Sequence, residues 1–516
     1  MIYENDQPEK ALQVALIAAH LSPKDADQWA RLANLSLESG NVKQAIACYS
    51  KAIQASPKDI NLYELRAQLQ EQNGDRRAFL RGYSKLVTQL EPEDGEYIVK
   101  CAKMLAKRYM QENNNEQALD AMENIFTKAL NLITLEEVNI MTELLIALKN
   151  FQRCLDILTK YTSIWVKFEA NHLEDNALKE KQLSDTIYKI KSCDIPEDVV
   201  VDLKAKFLIV LIELNEIDKA KNLLPKLYTK ENPEISGDLF LDVAEALMEK
   251  NEFKQALLLL DPLVKSTNYS LAAVWLRHAE CWAGCKDTKK AIASYEVVRE
   301  LSPQHLGARL SLAKLYKSKN QFNKAIEVLK QDPQCDTLDP EVIYKRTLLL
   351  LKVRRYSEYF KSGMLLFSRH CATIRSKAEL NTIVRATGVR QRLEALQLQR
   401  LSCGEKIEDE NAPTFLNSAE PSESKEFSLF LQMGKLAYKL KKFGLLQRIC
   451  FSALTSKKFE KKNSYIMFLC LIACIYNNDS FYGYNIVREL GEKMSFLTCT
   501  LCMQTIVLSL ELTNMP

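Results

Sequence analysis

Two cysteine pairs, Cys281-x3-Cys285 and Cys499-x2-Cys502, come nearest in this sequence to a reactive constellation. Paired thiolates can hold zinc when a second pair or two histidines complete a tetrahedral set. No second pair stands at zinc-ribbon spacing, and His20, His172, His278, His305 and His370 are isolated from one another. Cys281 and Cys285 also sit at i, i+4 in a helical pattern between Trp275 and Lys286. Cys48, Cys101, Cys154 and Cys450 occupy apolar helical positions, where a thiol acts as a small hydrophobe in a reducing compartment. Neither a glycine-rich phosphate loop nor an HExxH or GxSxG motif is present. The abundant Asp and Glu stand beside Lys on helix faces, where i, i+4 pairing accounts for them. The sequence therefore predicts a chain that is not an enzyme, with no catalytic residue, no cofactor and no metal.

The elements that carry these residues repeat every 34 positions. Around Ala45 the phrase reads Trp29, Leu32, Ala33, Leu35, Gly40, Ala45, Tyr49, Ala52 and Pro57. Ala11 and Pro23 precede it by 34 residues; Phe79, Tyr83 and Leu86 follow it by 34. It returns as Trp275, Ala279, Trp282, Ala291, Tyr295, Val298 and Pro303, with Ala325 again 34 beyond Ala291. Large residues on a first helix, small ones where two helices cross and Pro at the exit define a tetratricopeptide repeat. The predicted fold is all-α, a tetratricopeptide-repeat superhelix (α-solenoid) in two arms.

Composition agrees. Of 516 residues, 47% are hydrophobic, enough for a continuous core, and only 14 Gly and 14 Pro are present, as suits helices joined by short turns. A net charge of +4 implies neither nucleic acid nor membrane by itself. No run of about 18 apolar residues could span a bilayer, and the start lacks signal-peptide architecture. No membrane and no small-molecule substrate are expected.

Along the chain, residues 1–166 read as an N-terminal repeat array whose first unit is incomplete, with repeats expected upstream. Residues 167–198, carrying Glu169, Glu174, Asp175, Glu180 and Asp185, break the period and read as a polar insertion or hinge, an inserted helix or a loop. The period resumes over 199–402, its last units degenerate. Residues 403–425, with Gly404, Pro413, Pro421 and the run Glu408-Asp409-Glu410, read as an acidic disordered linker. Residues 426–516 form a last helical, repeat-like region, and its apolar end predicts a continuation or a covering partner.

Two surfaces could bind. In the repeat frame, Asn34, Glu38, Gln68, Glu71 and Gln72 line a groove along the first helices. Repeats that clamp a peptide's terminal carboxylate need Lys or Arg beside such an Asn, but Ala30 and Glu64 fill those places, so a groove for an extended or helical partner fits better. The second surface is basic. From Lys352 to Arg400, eleven basic residues, among them Arg354, Arg355, Arg375, Lys377, Arg385, Arg390 and Arg392, face three acidic ones. A second stretch runs from Lys435 to Lys462. Such stripes are solvated faces, contacts for phosphates or acidic tails, or partners of the acidic linker.

The words between the repeats resemble a family. Ile17-Ala-Ala-His-Leu-Ser-Pro, Trp29-Ala-Arg-Leu-Ala-Asn-Leu-Ser-Leu-Glu and Lys43-Gln-Ala-Ile-Ala-Cys-Tyr-Ser-Lys-Ala resemble the large tetratricopeptide subunit of general transcription factor TFIIIC. Asp94-Gly-Glu, Leu239-Phe-Leu-Asp-Val-Ala-Glu-Ala-Leu, Ala273-Val-Trp-Leu-Arg and Tyr482-Gly-Tyr-Asn-Ile-Val-Arg fit the same family. The resemblance implies a nuclear scaffold of the RNA polymerase III system, shortened at both ends. Its partners would be other TFIIIC subunits and TFIIIB components, including the B-related factor, with DNA met mainly through the complex. A generic repeat adaptor in RNA processing or chaperone assembly is the alternative, and direct DNA binding through the basic stretch a third.

Overall fold

The computed structural model describes residues 8–168, 190–332, 337–404, 413–416 and 420–493. The chain divides into two compact units, Met1–Ser270 and Leu271–Pro516. Each is a stack of antiparallel helix pairs, the all-α tetratricopeptide-repeat architecture expected from the periodicity.

In the first unit, helix Pro8–Leu21 is followed by the pairs Ala26–Glu38/Val42–Ala55, Ile60–Gln72/Arg76–Gln89, Gly95–Gln111/Asn115–Lys128 and Leu135–Ala147/Phe151–Tyr161. Helix Val201–Glu213 then pairs with Ile217–Leu223, and Pro233–Glu249 with Phe253–Lys265. In the second unit the pairs are Ala272–Gly284/Thr288–Leu301, Leu306–Ser318/Phe322–Val328, Pro340–Lys352/Tyr356–Phe367, Lys377–Arg385/Val389–Ser402, Glu423–Lys439/Phe443–Ala453 and Asn463–Tyr476/Ser480–Lys493. In the degenerate stretch, Gly388 at φ +78° turns the chain between helices Lys377–Arg385 and Val389–Ser402.

One device closes nearly every pair. A residue in the left-handed region ends the first helix: Gly40, Gly74, Asn113, Lys149, Asn215, Asn251, Lys286, Asn320, Arg354, Lys441 and Asn478. The next residue's N–H then reaches back five positions, as in Asn41 N to Ser36 O (2.8 Å), Asn150 N to Leu145 O (2.8 Å) and Asp287 N to Trp282 O (3.0 Å). This satisfies carbonyls the helix end would otherwise orphan. Five residues beyond each turn lies the crossing point, held by Ala45, Ala118, Ala220, Ala256, Ala291 and Ala325, all with no exposure. A small side chain there lets the two backbones approach while Leu32, Tyr49 and Tyr295 fill the flanks. Burying a Leu such as Leu32 contributes about 2 kcal/mol.

Capping is selective. Asn41, Asp75, Asn114, Asn150 and Asp287 accept from backbone N–H groups at second-helix starts, whereas Glu216, Glu252 and Gln321 make no such bond. Ties also run between repeats. Lys128 Nζ donates to Val87 O (3.0 Å), Thr88 O (2.7 Å) and Leu90 O (3.0 Å), capping the end of helix Arg76–Gln89 from the following repeat.

The described ends of the insertion at 167–198 carry two short strands, followed by an irregular stretch at 195–198. Strand β1 (Trp165–Phe168) pairs antiparallel with β2 (Ile190–Asp194), and Val166 lies opposite Cys193. The hairpin returns the chain to its start, so helix Val201–Glu213 packs on Leu135–Ala147 and Phe151–Tyr161. Repeats on both sides of the insertion therefore share one unit. Residues 169–189 lie outside the described residues.

Within 403–425, residues 413–416 are anchored: Leu338 N donates to Thr414 O (2.8 Å) and Leu416 N to Leu338 O (2.9 Å). Helix Glu423–Lys439 starts inside the same stretch. Residues 405–412, which hold Glu408-Asp409-Glu410, and the terminal stretches 1–7 and 494–516 lie outside the described residues.

Candidate protein-interaction surfaces

The five groove residues do not share one role. Asn34 is exposed and accepts a hydrogen bond from the Tyr49 hydroxyl at 2.6 Å, tying the first helix of its repeat to the second. Glu38, Gln68 and Gln72 are exposed. Glu71 reaches the next repeat and pairs with Arg108 at 2.9 Å. The Arg108 guanidinium in turn lies 4.3 Å from the Phe79 ring centroid. With Gly74, Arg76 and Gln111 these residues line a cleft of about 460 Å3. Sequence reading found Glu71 and missed Arg108, because the pair spans two repeats. The neighbouring Tyr97 hydroxyl donates to Glu64 Oε1 at 2.8 Å, and burial with that bond pushes its pKa up.

The basic stretch does not form one exposed face. Arg392 is fully buried and ion-paired with Glu489. Arg369 pairs with Glu426 and with Glu420 at 3.0 Å, and Arg400 with the buried Glu379 at 2.7 Å. Arg355 is held by Glu358 and by Glu327 at 3.3 Å, and Arg390 by Glu394 at 2.8 Å. Arg354 occupies a left-handed turn position. Arg354, Arg375, Lys377 and Arg385 remain exposed, the last over the Phe481 ring at 5.8 Å. In the second basic stretch, Lys458 pairs with Glu426 at 3.0 Å and Glu420 at 3.3 Å.

Glu426 is the centre of a closed polar network. Besides Arg369 and Lys458, His370 Nε2 lies 3.0 Å from its Oε2, while His370 Nδ1 meets Ser456 Oγ at 2.7 Å. Burial pushes the Glu426 carboxyl up, but its bonds with His370 and Lys458 and the Arg369 charge together hold it below the usual range. The network joins segments around residues 370, 420–426 and 456–458.

The remaining sequence candidates are structural. Cys281 is buried on helix Ala272–Gly284 and burial pushes its thiol up to about 12, the opposite of an activated nucleophile. Cys285 caps that helix. His278 bridges Ser294 Oγ (2.9 Å) and the Trp282 indole N–H (3.1 Å), while His305 accepts from Ala308 N at 3.0 Å. Among the described residues no group of three His, Cys, Asp or Glu could hold a metal ion. No described helix is long and apolar enough to cross a membrane. Cys499, Cys502 and His172 lie outside the described residues.

One surface had no sequence signature. Helices Leu135–Ala147, Val201–Glu213 and Pro233–Glu249 border a cleft of about 470 Å3 that gathers Glu143, Asp202, Glu213, Asp242, Glu245 and Glu249 around a single cation, Lys206. These carboxylates are scattered over more than a hundred residues of sequence. Only the stacking of repeats assembles them.

Two family models match: a tetratricopeptide repeat over residues 286–349 and a TPR repeat over residues 33–74. The chain is 35% identical over 366 residues to "General transcription factor 3C polypeptide 3" of Homo sapiens, covering 71% of this chain and 40% of the relative. It is 25% identical over 128 residues to "Transcription factor tau 131 kDa subunit" of Saccharomyces cerevisiae, covering 25% of this chain and 12% of that one. The match thus spans well under half the length of either relative. A solved pentatricopeptide repeat protein from maize aligns over 97% of this chain and 70% of its own, at 12% identity and a TM-score of 0.41.

Proposed function

The chain is related to the tetratricopeptide-repeat subunits of transcription factor TFIIIC, and from that premise we propose that it is a non-catalytic scaffold of the RNA polymerase III initiation machinery. It supports preinitiation-complex assembly on tRNA-type promoters by binding other TFIIIC subunits and recruiting TFIIIB, the B-related factor included. The nucleus is its place of action. The observation that carries this reading is the 35% identity to the human relative, which extends through 71% of the chain rather than through isolated repeats. The mechanism is display: stacked helix pairs hold partner segments at fixed separations, and several weak contacts add up through effective concentration. The first-helix groove with Asn34, Glu38, Gln68, Glu71 and Gln72 is one proposed contact surface. DNA is reached through the complex, a reading supported by the enclosure of Arg369, Arg392 and Arg400 in ion pairs.

Affinity purification of the tagged chain from nuclear extract, followed by mass spectrometry, tests this. Recovery of TFIIIC subunits together with TFIIIB is the expected outcome. Chaperones or RNA-processing factors without any TFIIIC subunit would overturn the assignment in favour of a generic adaptor.

A further inference from the structure

The acidic cleft of the first unit has a floor and a rim of different character. Ile146, Ile209 and Leu239 supply apolar surface, and six carboxylates surround it. The one cation inside is already engaged: Lys206 Nζ donates to Asn139 O at 2.7 Å and Asn139 Oδ1 at 2.8 Å, and lies 3.6 Å from Glu143. Glu213 holds Lys250 at 3.1 Å. Asp202, Asp242 and Glu249 have no ion-pair partner among the described residues. Burial, with Glu245 and Asp238 nearby, pushes the Asp242 carboxyl up against the weaker opposing pull of Lys206.

We propose that this cleft seats a short Lys- or Arg-bearing segment of a protein partner, with apolar residues between its cations. Charge selects the occupant. A nucleic-acid backbone would meet repulsion from six carboxylates, whereas basic side chains would give close ion pairs to three that have none among the described residues, Asp202 and Asp242 sharing only the more distant charge of Lys206. Geometry sets its length. Three helices stacked about 10 Å apart present a path of about 20 Å, which about six extended residues cover at ~3.3 Å each. The apolar floor takes the side chains between the cations, as an extended peptide alternates its faces. This names the chemistry of one segment held by the scaffold proposed above, and rests on that reading only for where the segment comes from.

The test uses the purified full chain and a fluorescein-labelled peptide of alternating Lys and Leu, read by anisotropy at physiological salt, with the Glu-Leu counterpart as a negative probe. The triple variant Asp202→Asn, Asp242→Asn, Glu249→Gln should weaken the Lys-Leu peptide about tenfold. A control triple on exposed positions of the same unit, Glu96→Gln, Glu116→Gln, Asp120→Asn, should leave it unchanged. These near-isosteric changes alter charge without volume, and circular dichroism confirms that both proteins stay helical. No binding by the wild type, or equal affinity in all three proteins, overturns the proposal. An equal loss in both triples also does, because it reduces the interaction to net charge. Co-purification with TFIIIC subunits is a separate readout, so failure here leaves the scaffold reading standing.

Discussion

Arg392 and Glu489, 97 residues apart in sequence, form an ion pair closed to solvent inside the second unit. Arg392 also donates to Ile383 O at 3.2 Å, and Glu489 accepts from Gly388 N at 3.2 Å. The pair therefore fixes the Lys377–Arg385/Val389–Ser402 hairpin against helix Ser480–Lys493. Taking two charges out of water is costly, and only close pairing with added hydrogen bonds offsets that cost.

Removing one partner strands the other in the core. Arg392→Met or Glu489→Met is expected to destabilise the chain by about 3 kcal/mol. The double variant Arg392→Met, Glu489→Met is expected to lose much less than the sum of the single losses. Equilibrium urea unfolding of the four proteins measures the coupling. Additive losses would show that the two side chains do not depend on each other.

Glu426 makes stability depend on pH in a predictable direction. Its carboxyl is held below the usual carboxylate range in the folded chain. A depressed carboxylate contributes stability that is present above its unfolded pKa and lost as pH falls through the folded value. Arg369, His370 and Lys458 face it, and Glu420 pairs with Arg369 and Lys458 beside it. Glu426→Gln is expected to cost about 3 kcal/mol at neutral pH. That deficit should start to shrink as the pH drops below about 4.3, where the unfolded chain's carboxylate takes up its proton, and vanish once the folded carboxylate is protonated at lower pH. Urea midpoints from pH 7 down to pH 3 read the gap, and a gap constant across that range would sink the idea.

The turn residues offer a test by gain. Lys286 is exposed at the tip of its repeat with φ +64°, a conformation Gly adopts without strain. Lys286→Gly is expected to raise stability by about 1 kcal/mol, and Gly40→Ala, at φ +77°, to lower it by a similar amount. Thermal melts of both variants check the pair, which should shift in opposite directions.

The repeat architecture was legible because its signals are local. Gly40, Asn215, Asn251 and Asn320 announce left-handed turns, and Ala45 and Ala291 announce crossings, within a window of a few residues. Arg392 was legible in principle. It falls at i+3 from Val389 and i−4 from Leu396, on the buried stripe of its helix. Counting it among surface cations ignored that phase. The ribbon was likewise signalled by Trp165-Val166-Lys167-Phe168, whose aromatic and β-branched residues favour strands, but the polar residues that follow masked it. The acidic cleft was beyond reach, since Asp202, Asp242 and Glu249 come together only when successive first helices stack.

Gly237 is a position where even a methyl group should be refused. Ser236 beside it leaves helical geometry at φ −108° and ψ 23°, kinking helix Pro233–Glu249. A Cβ on Gly237 would lie 2.5 Å from the Tyr269 ring, whose residue is anchored by its backbone N–H donating to Ser266 Oγ (2.9 Å) and by its hydroxyl donating to Asp238 (3.3 Å). An aromatic ring tethered at both ends cannot yield as a flexible side chain would. Gly237→Ala is therefore expected to cost about 2 kcal/mol through overpacking. In a Tyr269→Leu background the same change should cost less than half as much, because the obstructing ring is gone. Urea unfolding of the two single variants and the double variant decides the matter, and an undiminished penalty without the ring would place the strain in the backbone instead.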